Sequence, residues 1–100
     1  MRNKSIEHGI FLIKVIQKEY PAKTPKNTIS KLDMVRIFSE TIRRGTTSFQ
    51  NIINILKSHG VVETTFYTEI TINQFALNKF YSKFPDESKE AEKRFKEWAK

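Results

Sequence analysis

Apolar residues recur every three or four positions in three stretches of the first sixty residues, and this spacing predicts three amphipathic helices. The first stretch has the widest apolar face, so we expect its helix to be buried on most sides. The three apolar stripes comprise Ile6, Ile10, Ile13, Ile16 and Tyr20, widened by Phe11, Leu12 and Val15; then Leu32, Val35, Ile37, Phe38 and Ile42; and then Phe49, Ile52, Ile53 and Leu56.

The third of these helices has the clearest boundaries. Thr47 and Gln50 have the spacing of a capping box, in which the Thr hydroxyl accepts from a helical N–H and the Gln side chain reaches back to the cap. Gly60 supplies the left-handed residue that commonly ends a helix. We therefore predict a helix over residues 47–58. The face opposite its apolar stripe carries Thr47, Asn51, Asn54, Lys57 and Ser58.

Local signals also mark the ends of the first two helices, because Asn and Ser favour helix starts and proline cannot continue a helix. In chain order these signals are a cap at Asn3 or Ser5, a break at Pro21, a very short strand at Thr28-Ile29, capping spacing between Ser30 and Asp33, and a stop at Arg43-Arg44-Gly45.

Residues 61–72 are dense in β-branched and aromatic residues, which favour strands, and Val62, Phe66, Ile70 and Ile72 share one parity. The run contains no glycine turn, so a tight hairpin and one bent strand are both compatible with it. We favour a hairpin that turns near Tyr67. The predicted fold class is therefore α+β, mainly helical with a small antiparallel hairpin.

Two more helices are predicted after the hairpin. Asn73 caps the first, and Pro85-Asp86 ends it and starts the second. The first is expected to close the core with Phe75, Leu77, Phe80, Tyr81 and Phe84.

The last helix carries a narrow apolar stripe, made of Ala91, Phe95, Trp98 and Ala99. Its charges favour pairs four residues apart, Glu90 with Arg94 and Glu92 with Lys96. The stripe either folds back on its own domain or contacts a second subunit. We accordingly divide the chain into a domain of residues 1–84 and a charged helix of residues 85–100, a candidate homodimerisation element.

The net charge of +7 lies entirely in residues 1–60, which hold 11 Lys and Arg against 4 Asp and Glu. A cationic half of this kind suits a polyanion, although RNA, a membrane surface or an acidic protein could also use it. The chain has no cysteine, which excludes disulfides. The start lacks a secretory signal pattern and no stretch approaches the ~20 apolar residues of a membrane span, so we expect a cytoplasmic protein that does not cross a membrane.

The predicted order of elements resembles the winged helix-turn-helix domain of small bacterial and archaeal transcriptional regulators. This order is helix, short strand, helix, turn, capped helix and strand pair. The resemblance covers roughly residues 6–72 and is most specific from Ile42 to Glu63. The residues at that family's core, stop and first-strand positions are Ile42, Phe49, Ile53, Leu56, Gly60, Val61 and Val62.

This resemblance implies a DNA-binding protein whose helix 47–58 lies in the major groove of double-stranded DNA. The implied base contacts are Gln50, Asn51 and Asn54, because an amide side chain can pair bidentately with adenine. The implied phosphate contacts are Arg43, Arg44, Thr46, Thr47 and Lys57, and Lys23 and Lys26 are further candidates.

The chain departs from the family at two places. The turn has Arg43 and Arg44 where the family usually has Gly and an apolar residue, so we expect a longer or more exposed turn. The wing tip usually carries Lys or Arg, whereas the equivalent region here offers Glu63, Tyr67, Thr68 and Glu69. A structural hairpin, or a strand edge that pairs with another chain, is therefore expected in place of a basic phosphate clamp.

No catalytic or metal motif is present. The chain lacks a phosphate-cradling glycine loop and a recognisable nucleophile signature. His8 and His59 are far apart in a chain without Cys, so we predict no metal, no cofactor and no enzymatic activity.

A small transcriptional regulator that binds DNA is the leading interpretation. The alternative is a protein-interaction module that uses the strand edge of residues 61–72 or the Trp98 stripe on a winged-helix scaffold. RNA binding ranks last, because no aromatic stacking motif is present. A ribbon-helix-helix fold is disfavoured, because the chain begins with a long apolar helix where that fold needs a short strand.

Overall fold

The computed structural model describes residues 3–21, 26–66 and 68–100, apart from the side chains of Lys26, Thr46, Thr65 and Phe66. In this part of the chain the fold is mainly helical with a small antiparallel sheet. The elements in chain order are α1 (Lys4–Glu19), β1 (Lys26–Ser30), α2 (Lys31–Thr41), α3 (Thr46–Ser58), β2 (Val62–Phe66), β3 (Glu69–Asn73), α4 (Gln74–Lys83) and α5 (Pro85–Trp98).

The predicted hairpin forms, and it recruits β1 as a third strand. The strand order is β1-β3-β2, with β1 antiparallel to β3 from Lys26 opposite Asn73 to Ser30 opposite Glu69. The pairing of β2 with β3 shifts register between Thr64 and Phe66. The predicted turn residue Tyr67 lies outside the described residues.

Helix α1 is the centre of the core, since its residues 6–13, 15 and 16 are all buried. Asn3 caps it, because its Oδ1 accepts from the N–H groups of Ser5 and Ile6 at 2.9 and 3.2 Å. Gly9 lets α3 approach closely: a Cβ at this position would lie 3.3 Å from Cγ2 of Ile52. The broad apolar face predicted for this helix therefore packs against several neighbours at once.

The predicted hydrogen bond from the Ser30 cap of α2 is wrong. Ser30 occupies the N-cap position, but its side chain makes no capping bond. The hairpin binds a different donor at the start of α2, because the N–H of Lys31 donates to the Thr68 carbonyl at 2.7 Å. The start of α2 is thus held by the hairpin backbone and not by the side chain that the local sequence pattern indicated.

The predicted capping box of α3 is also wrong. The N-cap is Gly45, without a side-chain capping bond, and the N–H of Phe49 donates to the Gly45 carbonyl. The helix therefore starts at Thr46, which places Thr47 inside its first turn. The Gln50 side chain donates to Asn54 and does not reach back to a cap.

The turn between α2 and α3 contains an arginine in the left-handed conformation. Arg43 has φ +60°, and its N–H donates to the Phe38 carbonyl at 3.2 Å. Glycine is the residue most often found in this left-handed conformation after a helix, because a side chain there costs conformational energy. Arg43 is thus held at a strained position beside the exposed start of α3.

Replacing Arg43 by glycine is expected to stabilise the fold by roughly 0.5–1 kcal/mol, because glycine adopts positive φ without strain. Urea unfolding followed by circular dichroism measures the change. Arg44→Gly is the matched control, since Arg44 does not have positive φ and gains nothing from glycine. Equal effects of the two substitutions would contradict this explanation.

Gly60 ends α3 as predicted, with φ +74°. The N–H of Gly60 donates to the Lys57 carbonyl at 3.0 Å and that of Val61 to the Leu56 carbonyl at 2.9 Å. Val61 and Val62 are buried directly afterwards, so the chain passes from α3 into β2 within the core.

Helix α4 begins as predicted, because Oδ1 of Asn73 accepts from the N–H groups of Phe75 and Ala76. Leu77 and Phe80 are buried, and Tyr81 and Phe84 pack against the core. The prediction for Phe75 is wrong: it is 67% exposed, because it lies in the first turn of α4 on the face that points away from Leu77 and Phe80.

Helix α5, which starts with Pro85 as predicted, folds back along α1 and buries Ala91 completely. The predicted pairs within α5 are partly replaced: Glu90 lies 4.0 Å from Nζ of Lys93 on the same helix, and Glu92 forms its ion pair with α1 while Lys96 acts on it as a nearby charge. Glu92 binds Nζ of Lys14 at 2.8 Å, which lowers the pKa of Glu92, and the Arg94 guanidinium lies 4.9 Å from the ring centroid of Phe11. Lys14 also lies over Tyr81, whose pKa burial raises to about 12.

Candidate nucleic-acid interface

Helix α3 separates its apolar and polar residues onto opposite faces, as predicted. The buried face comprises Phe49, Ile52, Ile53 and Leu56. The exposed face comprises Thr47, Gln50, Asn51, Asn54, Lys57 and Ser58. The amide side chains expected to contact bases are therefore at the surface. We call this exposed set, together with Arg43 and Arg44, the α3 surface.

Two of the three amides on the α3 surface are linked to each other. Nε2 of Gln50 donates to Oδ1 of Asn54 at 3.0 Å, one helical turn away. This bond fixes the amide orientations, leaving Nδ2 of Asn54 free to donate and Oε1 of Gln50 free to accept. Asn51 makes no hydrogen bond within the described residues, so both of its polar atoms remain available.

The α3 surface is cationic without compensating acids. Arg43 and Arg44 are exposed, and neither forms an ion pair within the described part of the chain. Residues 41–62 contain no Asp or Glu. The side chains of Thr46 and Lys26, and all of Lys23, lie outside the described residues, so their expected phosphate contacts have no structural counterpart here.

The hairpin adds no cation to this surface, since residues 62–73 contain no Lys or Arg. Glu63 and Thr68 are exposed, and Glu69 is half-buried. β2 is an edge strand, and its register shift between Thr64 and Phe66 interrupts regular pairing. The hairpin thus offers a structural support for α3 and no basic clamp.

A polar cavity of about 110 Å³ opens beside the α3 surface, between the start of α1, the α2–α3 turn and the first turns of α3. We call it the His8 pocket. Its lining residues are Lys4, Ser5, His8, Arg44, Ser48, Asn51 and Ile52. Two of the sequence-predicted contacts, Arg44 and Asn51, therefore meet at one place. The other polar lining residues, which are Lys4, Ser5 and His8 of α1 and Ser48 of α3, were not anticipated, because no sequence spacing connects α1 with α3.

His8 is 8% exposed, and no described residue hydrogen-bonds its imidazole. Burial lowers the pKa of His8, and the positive charges of Arg94, Arg44 and Lys4 lower it further, while Glu7 opposes them. All four charges face His8 from α1, the α2–α3 turn and α5. The imidazole is therefore neutral at pH 7, with one ring nitrogen able to donate and the other to accept.

Acid is expected to destabilise the protein through His8. Because its pKa in the folded chain is below the 6.5 of a free imidazole, the unfolded chain binds the proton first as pH falls. The free energy of unfolding that the neutral His8 contributes is fully present above pH 6.5. It is lost as the pH falls below that value, at a rate of at most about 1.4 kcal/mol per pH unit. Urea unfolding at pH 7.5 and 5.5 measures it. His8→Gln should lose less stability than the wild type, and equal losses would refute the assignment.

The second histidine, His59, lies among aromatic side chains of the fold. The His59 ring packs edge-on against Phe80 and Phe84, with centroid distances of 5.0 and 5.5 Å. Over the described ranges, no group of three or more His, Asp or Glu is arranged to hold a metal ion. None of the helices in those ranges combines the length and apolar character needed to span a bilayer.

Comparison of the chain with family models, with curated proteins and with solved structures finds no match. A functional assignment for this protein therefore depends on the geometry of the α3 surface and the His8 pocket.

Proposed function

We propose that this chain is a winged helix-turn-helix protein that binds double-stranded DNA and acts as a small transcriptional regulator in the cytoplasm. The observation that carries the proposal is the α3 surface, where three exposed amides are flanked by arginines that form no ion pair with any described residue, in a segment without acids. The element order α1-β1-α2-α3-β2-β3 and the strand order β1-β3-β2 support the winged-helix assignment.

The dimensions of α3 suit a major groove. Its 13 residues make a rod of roughly 20 Å at about 1.5 Å per residue. An α-helix is about as wide as the groove of B-DNA, so side chains on its outer face reach the base edges. In this role Asn51, Asn54 and Gln50 read bases, while Arg43, Arg44, Thr46, Thr47 and Lys57 contact phosphates.

The alternative function, protein interaction through β2 or α5, has weaker support. The register shift in β2 disrupts the regular row of N–H and C=O groups that strand addition needs. Helix α5 already uses Ala91, Glu92 and Arg94 against α1, leaving Trp98 at its end 36% exposed. A homodimer through α5 would therefore have little apolar surface, and sedimentation of the full chain measures whether one forms.

The salt dependence of duplex binding tests the proposal. Fluorescence anisotropy with a labelled random-sequence duplex between 50 and 300 mM salt gives the slope of log affinity against log salt. Arg43→Gln and Arg44→Gln should each reduce this slope by about 1, because each removes one phosphate contact. Arg36→Gln is the matched control, since Arg36 pairs with Glu40 on α2 away from α3.

Two outcomes would refute this function. One is the absence of duplex binding at 50 mM salt. The other is a slope that Arg36→Gln reduces as much as the α3 variants, which would show a diffuse attraction to total charge. An RNA duplex of the same length, added as competitor, should displace DNA no better than unlabelled DNA does.

A further inference from the structure

The polar groups around the His8 pocket are mostly hydrogen-bond donors. Lys4 and Arg44 bring positive charge, and Ser5, Ser48 and Asn51 bring hydroxyl and amide groups. No carboxylate lines the pocket. Oε2 of Glu7, which is buried on α1, lies 3.7 Å from Nζ of Lys4 and so takes part of the charge of that lysine. Arg44 forms no ion pair with any described residue.

Two further observations indicate a ligand in this pocket. His8 is more than nine-tenths buried, yet its imidazole lines the pocket and has no hydrogen-bond partner among the described residues. Neither ring nitrogen of His8 is fully enclosed: among the described residues, the enclosed side-chain polar atom without a hydrogen-bond partner is Oε2 of Glu7, so the imidazole can hydrogen-bond a molecule that enters the pocket. In addition, α3 begins beside the pocket at Gly45 without a side-chain cap, which leaves its first N–H groups unsatisfied by side chains.

We propose that the His8 pocket binds one tetrahedral oxyanion, a phosphate group, held by Arg44, Ser48, His8 and Lys4. The cavity of about 110 Å³ has room for a four-oxygen anion, since a single water needs only ~10–15 Å³ of such a volume. An anion accepts from every donor around the pocket and meets the positive end of α3.

A phosphate group can reach this pocket from two sources. One is a backbone phosphate of a DNA strand lying along the α3 surface, because Arg44 and Asn51 belong to both the surface and the pocket. The other is a free phosphate or a small phosphate monoester in solution. The proposal does not require DNA binding, since free phosphate is tested on the protein alone.

The direct test is a titration of the full chain with inorganic phosphate at constant ionic strength, followed by NMR. The chain has two histidines, so the imidazole signals of His8 and His59 are easily distinguished. We expect the His8 signal to shift and saturate, with a dissociation constant on the order of 1 mM. The His59 signal should stay constant. Unsaturated, parallel drift of both signals would overturn the proposal.

Matched substitutions distinguish phosphate binding in the pocket from a general attraction to the positive charge of the protein. Arg44→Gln should weaken phosphate binding by about tenfold or more, and Ser48→Ala by a few-fold, because each removes a donor to a charged group. Arg36→Gln and Ser82→Ala are the controls, of which Ser82 is exposed on α4 and donates to the Asn78 carbonyl. All four positions are at or near the surface, and circular dichroism confirms folding. Equal affinities for Arg44→Gln and Arg36→Gln would also overturn the proposal.

A sulfate titration adds a readout for His8 itself. Sulfate stays a dianion as pH changes, so any change in its affinity comes from the protein. A bound anion favours the protonated imidazole, so sulfate should bind more tightly at pH 5.5 than at pH 7.5. The charged groups that face His8 are Lys4, Glu7, Arg44 and Arg94. His8→Gln should abolish the pH dependence, and its persistence in that variant would remove His8 from the site.

Competition with duplex DNA distinguishes the two sources. If free phosphate saturates the pocket and displaces duplex at constant ionic strength, the pocket holds a DNA backbone phosphate. If it saturates without displacing duplex, the pocket serves a soluble phosphate compound. Saturation in a protein that binds no duplex would refute the DNA-binding function and leave the phosphate site standing.

Discussion

Replacing Phe49 by alanine is expected to destabilise the protein by about 3–5 kcal/mol, a large share of the total stability of a domain of this size. Phe49 is 2% exposed and packs edge-on against Phe38, with ring centroids 5.4 Å apart. It is the residue through which the first turn of α3 is anchored to α2. Its loss leaves a cavity under the turn that carries Arg43 and Arg44.

Urea and thermal unfolding measure this effect, and the midpoint temperature should fall by more than about 10 °C. Phe75→Ala is the matched control, because Phe75 is 67% exposed and its removal should change stability by no more than about 0.5 kcal/mol. A similar loss for both variants would show that the aromatic pair does not anchor α3.

The sequence predicted those features of the fold that depend on local periodicity and single punctuating residues. The apolar stripes of α1 and α3, the Asn73 cap, the Gly60 stop and the Pro85 start all correspond to observed elements. Each depends on an intrinsic preference, such as positive φ at glycine, that the surrounding structure does not override.

Predictions that required a choice of partner were less successful. Glu92 was expected to bind within α5 but binds Lys14 of α1, and the start of α2 bonds to the Thr68 carbonyl and not to the Ser30 side chain. The α3 capping box does not form, because the helix starts at Thr46 and Gln50 donates to Asn54. In each case several partners of similar energy were available, and tertiary packing selected among them.

The same difference between local pattern and tertiary packing explains which parts of the candidate site could be predicted from the sequence. The orientation of Asn51 and Asn54 follows from the apolar stripe on the opposite side of α3, so their exposure could be predicted. The His8 pocket could not, because it forms only where α1 and α3 pack together, with Gly9 permitting their close approach. In the sequence His8 is a lone histidine within an apolar helix, and no spacing indicates that it contacts residues 44–51.

Replacing both Asn51 and Asn54 by alanine is expected to abolish sequence preference while leaving general DNA affinity in place. Each bidentate contact from an amide to adenine is worth about 1–3 kcal/mol of discrimination, and its loss affects only the preferred sequence. The salt slope should stay unchanged, since neither side chain neutralises a phosphate. The fold should be no less stable, because alanine favours an exposed helix position more than asparagine does.

The measurement begins with selection of a preferred duplex from a random pool, followed by affinities for that duplex and a scrambled one. Asn78→Ala is the matched control: Asn78 is exposed on α4 and accepts from Gln74 at 3.1 Å, the same arrangement as Gln50 with Asn54. The control should keep the preference of the wild type. If the double variant instead weakens binding to both duplexes equally, the amides act as general contacts and α3 does not read bases.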